Sequence, residues 1–168
     1  LLEGGAQLIQ QRFAGQADLQ AELFGVVADV FSDMGAYRLA SDYATRKVEA
    51  LTLIRADPIE QARTLLVLAQ ALARDQRLSD AELRARRALA LSAGEPVLSL
   101  DTTLLIADLQ QQQGRYDDAT AWLQQAESLI STQGTGPSTA RAKFLSLRAW
   151  QATLRNNFDE ALPMLVQA

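Results

Sequence analysis

Two pairs of neighbouring carboxylates, Asp117-Asp118 and Asp159-Glu160, come nearest in this chain to the spacing that general acid–base chemistry needs. Both fall at the start of a predicted helix. Negative charge there favours the helix dipole and caps free N–H groups, so capping is the stronger reading. The 168 residues contain neither His nor Cys. That removes the Ser–His and Cys–His nucleophilic pairs, disulfides and cysteine zinc sites. No cluster of ligand side chains has metal-site spacing, and no cofactor is expected. Gly134-Thr135-Gly136-Pro137-Ser138-Thr139 has the glycines of a phosphate loop but lacks the Gly-Lys-Ser/Thr ending and a preceding strand. It reads as a loop between repeats. Arg84, Arg86 and Arg87, with Arg74 and Arg77 close by, form the most basic stretch, but Asp75, Asp80 and Glu82 are interspersed. A nucleic-acid site needs a broader positive face and stacking aromatics. This stretch reads as a solvated convex face, and no nucleic acid is expected.

Sixteen basic against twenty acidic residues leave a net charge of −4, too mild to name a partner. Apolar residues at 48% and charged residues at 21% are ordinary for a globular chain of one domain. No run of apolar residues is long enough to span a membrane.

The elements that must position any site read as helices throughout, with no sheet. A leading helix occupies 1–16, with Leu1, Leu2, Ala6, Ile9 and Phe13 on or near one face. Helix pairs follow at about 17–56, 57–95, 96–134 and 135–168. In the first, Leu23, Val26, Val27, Val30 and Phe31 have amphipathic spacing and Gly35 ends the helix. Asp57-Pro58-Ile59-Glu60 is a start signal, and Ser79-Asp80-Ala81-Glu82 has the pattern of a capping box. Leu65, Leu68, Ala69 and Leu72 form one core stripe, and Ala81, Ala85, Ala88 and Leu89 its partner.

Alanine sets the repeat. Ala40, Ala81, Ala119 and Ala161 stand 41, 38 and 42 residues apart, each one turn into a second helix. Ala28, Ala69, Ala107 and Ala149 each stand twelve residues earlier, on the first helix. Two helices joined by a short turn approach closely only where side chains are small, and Ala also has the highest helix propensity. A period in this range means a stack in which each unit buries its face on its neighbours. The eight alanines, the turn residues Gly35 and Gly114, and Tyr37, Tyr116 and Phe158 resemble the tetratricopeptide repeat (TPR) family. The resemblance covers about residues 20–168. It departs in its units of about forty residues, in Gln76 where the turn Gly is usual, and in Gln110 at a usual aromatic position. It implies an all-α, right-handed superhelix of four antiparallel helix pairs after the leading helix.

The same resemblance implies a non-catalytic protein that binds a protein or peptide in a concave groove lined by the first helix of each pair. By it, Glu22, Gly25 and Asp29, then Arg63, Leu66 and Gln70, then Asp101, Leu104 and Asp108, and lastly Lys143, Ser146 and Trp150 face the groove. The Lys and Asn of the chaperone-tail clamp are absent at the positions held by Gly25 and Asp29.

The N-terminal run Leu1–Ile9 with Ala17–Leu23 resembles the lead-in to repeats that follow bacterial serine/threonine protein kinases. That implies a sensor or scaffold region on the extracytoplasmic side, belonging to a longer protein. The chain itself carries no kinase motifs. The alternative is the sensor or oligomerisation arm of a cytoplasmic transcriptional regulator, with a small-molecule response open. At the other end, Leu162, Leu165 and Val166 have helical spacing and no polar cap after them. Weak self-association through this edge is expected.

Overall fold

The structure, a computed structural model, describes residues 2–133, 138–154 and 157–167. Among these residues there are nine helices and no strand. They are α1 (Leu2–Arg12), α2 (Ala17–Asp33), α3 (Tyr37–Leu53), α4 (Pro58–Arg74), α5 (Leu78–Leu91), α6 (Pro96–Gln112), α7 (Tyr116–Gln133), α8 (Ser138–Leu154) and α9 (Phe158–Gln167). Two compact units result, Leu1–Leu91 and Ser92–Ala168. In the first, α1 rests on α2, and α2 packs on α3, α3 on α4 and α4 on α5. In the second, α6 packs on α7, α8 on α9, and α8 also meets α6 and α7.

The alanine register holds at every pair. Ala28 and Ala40, Ala69 and Ala81, Ala107 and Ala119, and Ala149 and Ala161 are all at most 4% exposed. A larger side chain at any of them would force helices apart or off-rotamer.

The helix pairs are closed by one kind of turn. The amide of Ala36 donates to the Phe31 carbonyl (2.8 Å), that of Arg77 to Leu72 (2.9 Å), that of Arg115 to Gln110 (2.8 Å) and that of Asn157 to Ala152 (2.9 Å). This six-to-one bond satisfies a carbonyl that the helix end leaves open, and it needs a left-handed residue just before it. Gly35 (φ 74°) and Gly114 (φ 75°) supply that conformation, and in the second pair Gln76 adopts it at φ 62°. The departure of Gln76 from the repeat pattern therefore changes the residue and not the turn.

Helix starts vary: Gln16, Ala36 and Glu95 precede α2, α3 and α6 without a side-chain cap, whereas α4 is capped. Asp57 Oδ2 accepts from the amides of Ile59 (3.2 Å) and Glu60 (3.4 Å) ahead of Pro58. The expected capping box at Ser79–Glu82 is not formed as such. α5 already starts at Leu78, which puts Ser79 inside the first turn, and the Glu82 carboxylate accepts from Arg86 instead (2.8 and 3.1 Å). Asp117 and Asp118 lie in the first turn of α7, where Asp118 pairs loosely with Arg115 at 3.7 Å.

The buried face of α2 differs from the expected one. Ala17, Ala21, Phe24, Gly25 and Ala28 are buried, whereas Val26 and Val30 are 61% and 52% exposed. Hydrophobic spacing favoured the bulky valines. Close packing on α3 instead selects the stripe of small residues, with Phe24 and Phe31 set against the Tyr43 ring at 6.1 and 5.6 Å. In α1, Ala6 is buried and Ile9 half-buried, as is Phe13 just past its end, in line with the expected face. The side chains of Leu1, Leu2, Phe158 and Glu160, and the loop at 134–137, lie outside the described residues.

Gln76→Gly should raise stability by about 0.5–1 kcal/mol, since a left-handed L-residue costs roughly 1–2 kcal/mol and glycine's extra chain entropy offsets part of the gain. Gly114→Ala should lower it by about 1–2 kcal/mol. A Cβ at Gly114 meets no atom within 4 Å, so that loss is purely conformational. Denaturant unfolding of the two variants checks both signs.

Candidate functional site

In the first unit, α2, α3 and α4 line an open depression of about 160 Å³. Gly25, Ala28 and Asp29 of α2 face Ala44 and Lys47 of α3 and Arg63, Thr64 and Val67 of α4. Gly25 is what lets the lysine in. A Cβ there would lie 3.0 Å from Lys47 Nζ and 3.1 Å from its Cδ. The half-buried lysine stem therefore lies along α2 and brings its ammonium to the same hollow as the Asp29 carboxylate and the Arg63 guanidinium. Such a set can hold a small polar or charged group by hydrogen bonds and charge.

In the second unit, α6 and α8 line a wider depression of about 370 Å³. Asp108, Gln111 and Gln112 of α6 face Ser146, Leu147 and Trp150 of α8. The frame is fixed by amide side chains. Gln111 Nε2 donates to the Leu147 carbonyl at 3.1 Å, tying α6 to α8. Gln151 Nε2 donates to the Tyr116 carbonyl and to Thr120 Oγ1, both at 3.1 Å, tying α8 to the start of α7. The Trp150 and Tyr116 rings meet at 5.6 Å with a 57° tilt, yet remain 42% and 40% exposed.

Charge in this depression is organised around Asp108. Gln112 Nε2 donates to its Oδ1 at 2.9 Å, and Lys143 Nζ lies 3.7 Å from its Oδ2. Two turns earlier on α6, partial burial pushes the Asp101 carboxyl above its ordinary value, and the Lys143 ammonium opposes the shift by favouring the charged form. One ammonium is thus set among two carboxylates.

The sequence-derived groove set divides accordingly. Asp29 and Arg63 come together in the first depression, and Asp108, Ser146 and Trp150 in the second, with Lys143 paired to Asp108 beside it. Glu22 and Gln70 are exposed but line neither depression. Leu66 and Leu104 require correction. Leu66 is 8% exposed, and Leu104 is fully buried among Leu100, Ala107, Leu123 and Phe144. Their helices are covered on more than one side, so the apolar positions turn into the core. On α4 the solvent-reaching apolar position is Val67, 44% exposed. α6 is buried almost all round; even Thr102 and Thr103 are buried, each donating to the carbonyl four residues back at 2.7 Å. Sequence reasoning missed Lys47, which comes from a second helix. Its one signal is Gly25, a glycine inside a helix, which is costly unless something approaches closely. Gln111 gave no signal.

The basic stretch is dispersed. Arg74 stacks on the Tyr37 ring at 5.2 Å, Arg77 pairs with Asp80 and Arg86 with Glu82, both at 2.8 Å. Arg84 and Arg87 line an open hollow of about 410 Å³ with Glu49, bordered by α3, α4 and α5. Among the described residues there is no cluster of three or more side chains able to hold a metal, and no helix long and apolar enough to cross a membrane.

Because the Asp101 carboxyl is raised, the folded state binds its proton more readily than the unfolded state. Stability then falls as pH rises from the ordinary value of 3.8 through the folded one, and the deficit persists at neutral pH. Asp101→Asn should melt higher than wild type at pH 7, with the gain shrinking as pH falls through the folded value and absent below 3.8. Thermal melts across that range give the sign.

No protein-family model and no curated protein matches the chain. Solved structures do. The apo form of RapI superposes with a TM-score of 0.77 at 16% identity, covering 96% of this chain and 59% of RapI, so the chain spans well under two thirds of that protein. MamA superposes with a TM-score of 0.67 at 16% identity, covering 99% of this chain and 85% of MamA. At such identity the likeness is one of fold, and the chain is an all-α, TPR-like array of helix pairs.

Proposed function

We propose that the chain is a non-catalytic interaction module that binds a protein or peptide segment against the first helices of its pairs. The observation that carries this reading is the second-unit depression. It is open, about 370 Å³, held by amide side chains bonded across helices, and presents an exposed tryptophan beside a carboxylate. Rigid aromatic anchors at a concave polar-rimmed surface are what recognition sites use. The absence of His and Cys from the sequence supports a role without chemistry. Selection of binders from a random peptide library on the folded chain tests it. Trp150→Ala should weaken peptides seated in the second-unit depression, and Arg63→Glu those seated in the first, about tenfold each, the typical loss at an interface anchor. Unchanged binding to both variants rejects the groove.

For the parent, the reading is the sensor or scaffold region of a bacterial serine/threonine protein kinase, placed outside the cytoplasm. It rests on the resemblance at 1–23. A kinase domain followed by an apolar span upstream in the parent gene supports it, and a helix-turn-helix there replaces it with a cytoplasmic regulator arm.

A second reading, weak self-association, rests on α9. Leu162, Leu165 and Val166 are 62%, 55% and 87% exposed, while Ala161 and the half-buried Met164 pack on Ala149 and Ala152. Light scattering should show mass rising with concentration, and Leu165→Glu should abolish the rise. A strict monomer at high concentration removes this reading.

A further inference from the structure

The second unit has a charge character that its helices keep separate. Residues 92–168 carry eight acidic against five basic residues. Asp101 and Asp108 are the only charged residues of α6, two turns apart on a helix otherwise buried nearly all round. Lys143 answers both from α8, and its approach to Asp108 is loose at 3.7 Å. Gln112 holds the Asp108 carboxylate in one orientation from its own helix. Trp150 lines the same depression, its ring set against that of Tyr116 and 42% of the residue exposed.

A partly exposed indole ring and an oriented carboxylate that border one hollow form the chemistry that receives a planar cation. The ring quadrupole attracts a guanidinium lying over it, and a carboxylate takes charge-assisted hydrogen bonds from the same group. We propose that the partner segment seats an arginine side chain in this depression, its guanidinium stacked on Trp150 and paired with Asp108. The proposal rests on the peptide-binding reading above and names the chemistry of the partner. An acidic segment is the wrong complement. It would bring a further carboxylate against Asp108, which lines the depression. A purely apolar segment would leave Asp108 covered with no added partner.

The test uses the whole chain with Trp122→Phe, which leaves Trp150 as the sole tryptophan reporter. The probes are acetyl-Gly-Ser-Arg-Ser-Gly-amide and its counterparts with citrulline or glutamate in place of arginine, at low salt. The arginine peptide should change Trp150 emission saturably, and citrulline should bind about three- to tenfold more weakly. Asp108→Asn keeps an acceptor for Gln112 and should weaken the arginine peptide several-fold without a lower melting temperature. Lys143→Gln removes the competing ammonium and should tighten it. A merely structural lysine would not do so. Equal binding of arginine and citrulline, tighter binding of glutamate, or loosening by Lys143→Gln overturns the proposal. Library-selected peptides that need Trp150 yet lack a basic residue overturn it too and leave the groove reading standing. Selected peptides indifferent to Trp150 and Arg63 overturn both.

Discussion

Everything in this chain depends on how closely two helices of a pair can approach. Each pair carries an alanine on both helices, twelve residues apart, and all eight of these alanines are buried. The close approach removes apolar surface from water with little side-chain entropy lost, since Ala has none to lose. It also demands a turn that reverses the chain within a few residues. The six-to-one bond recurs at each of the pair turns Ala36, Arg77, Arg115 and Asn157 because it closes the helix and starts the reversal in one step.

That constraint decides where a site can lie. A pair packed through small residues commits one face of its first helix to its partner. Neighbouring pairs take a second face, and in α6 little is left over except Asp101, Asp108 and Gln112. The surface that remains is a narrow flank, so the side chains that reach solvent there are few and their company matters. In the first unit it is Lys47, laid over Gly25, that joins Asp29 and Arg63. In the second it is Trp150 and Asp108, braced by glutamines that bond across helices. Neutral amides do this bracing well, since they satisfy buried carbonyls without the desolvation cost of a charge.

Charge follows the same logic. Arginines at the start of α5 and within it reach acids one turn on or back, as Arg77 does Asp80 and Arg86 does Glu82; the first pair is exposed and adds little stability. The Lys143–Asp108 contact differs because it crosses from α8 to α6 and borders a cavity. There its effect is on what the cavity will accept.

The sequence by itself determined the class of fold, the succession of helices, the alanine register and the turns at Gly35 and Gly114; it ran the leading helix to 16, where α1 ends at Arg12. These are local properties. Periodicity, turn residues and small anchors act over a few turns of chain, and each repeat states them again. What the tertiary structure decided is which flank of each helix stays open. Periodicity could not say that Val26 and Val30 face water while Ala21 and Gly25 are buried, because both sets have helical spacing and only the width of the α2–α3 contact separates them. It could not keep Leu66 and Leu104 out of the groove set, since that depends on how many neighbours cover α4 and α6. Nor could it bring Lys47 from a second helix into the company of Asp29, or set Trp150 beside Asp108. Those meetings join residues about twenty to forty positions apart, and they are set by helix packing, which no single segment encodes.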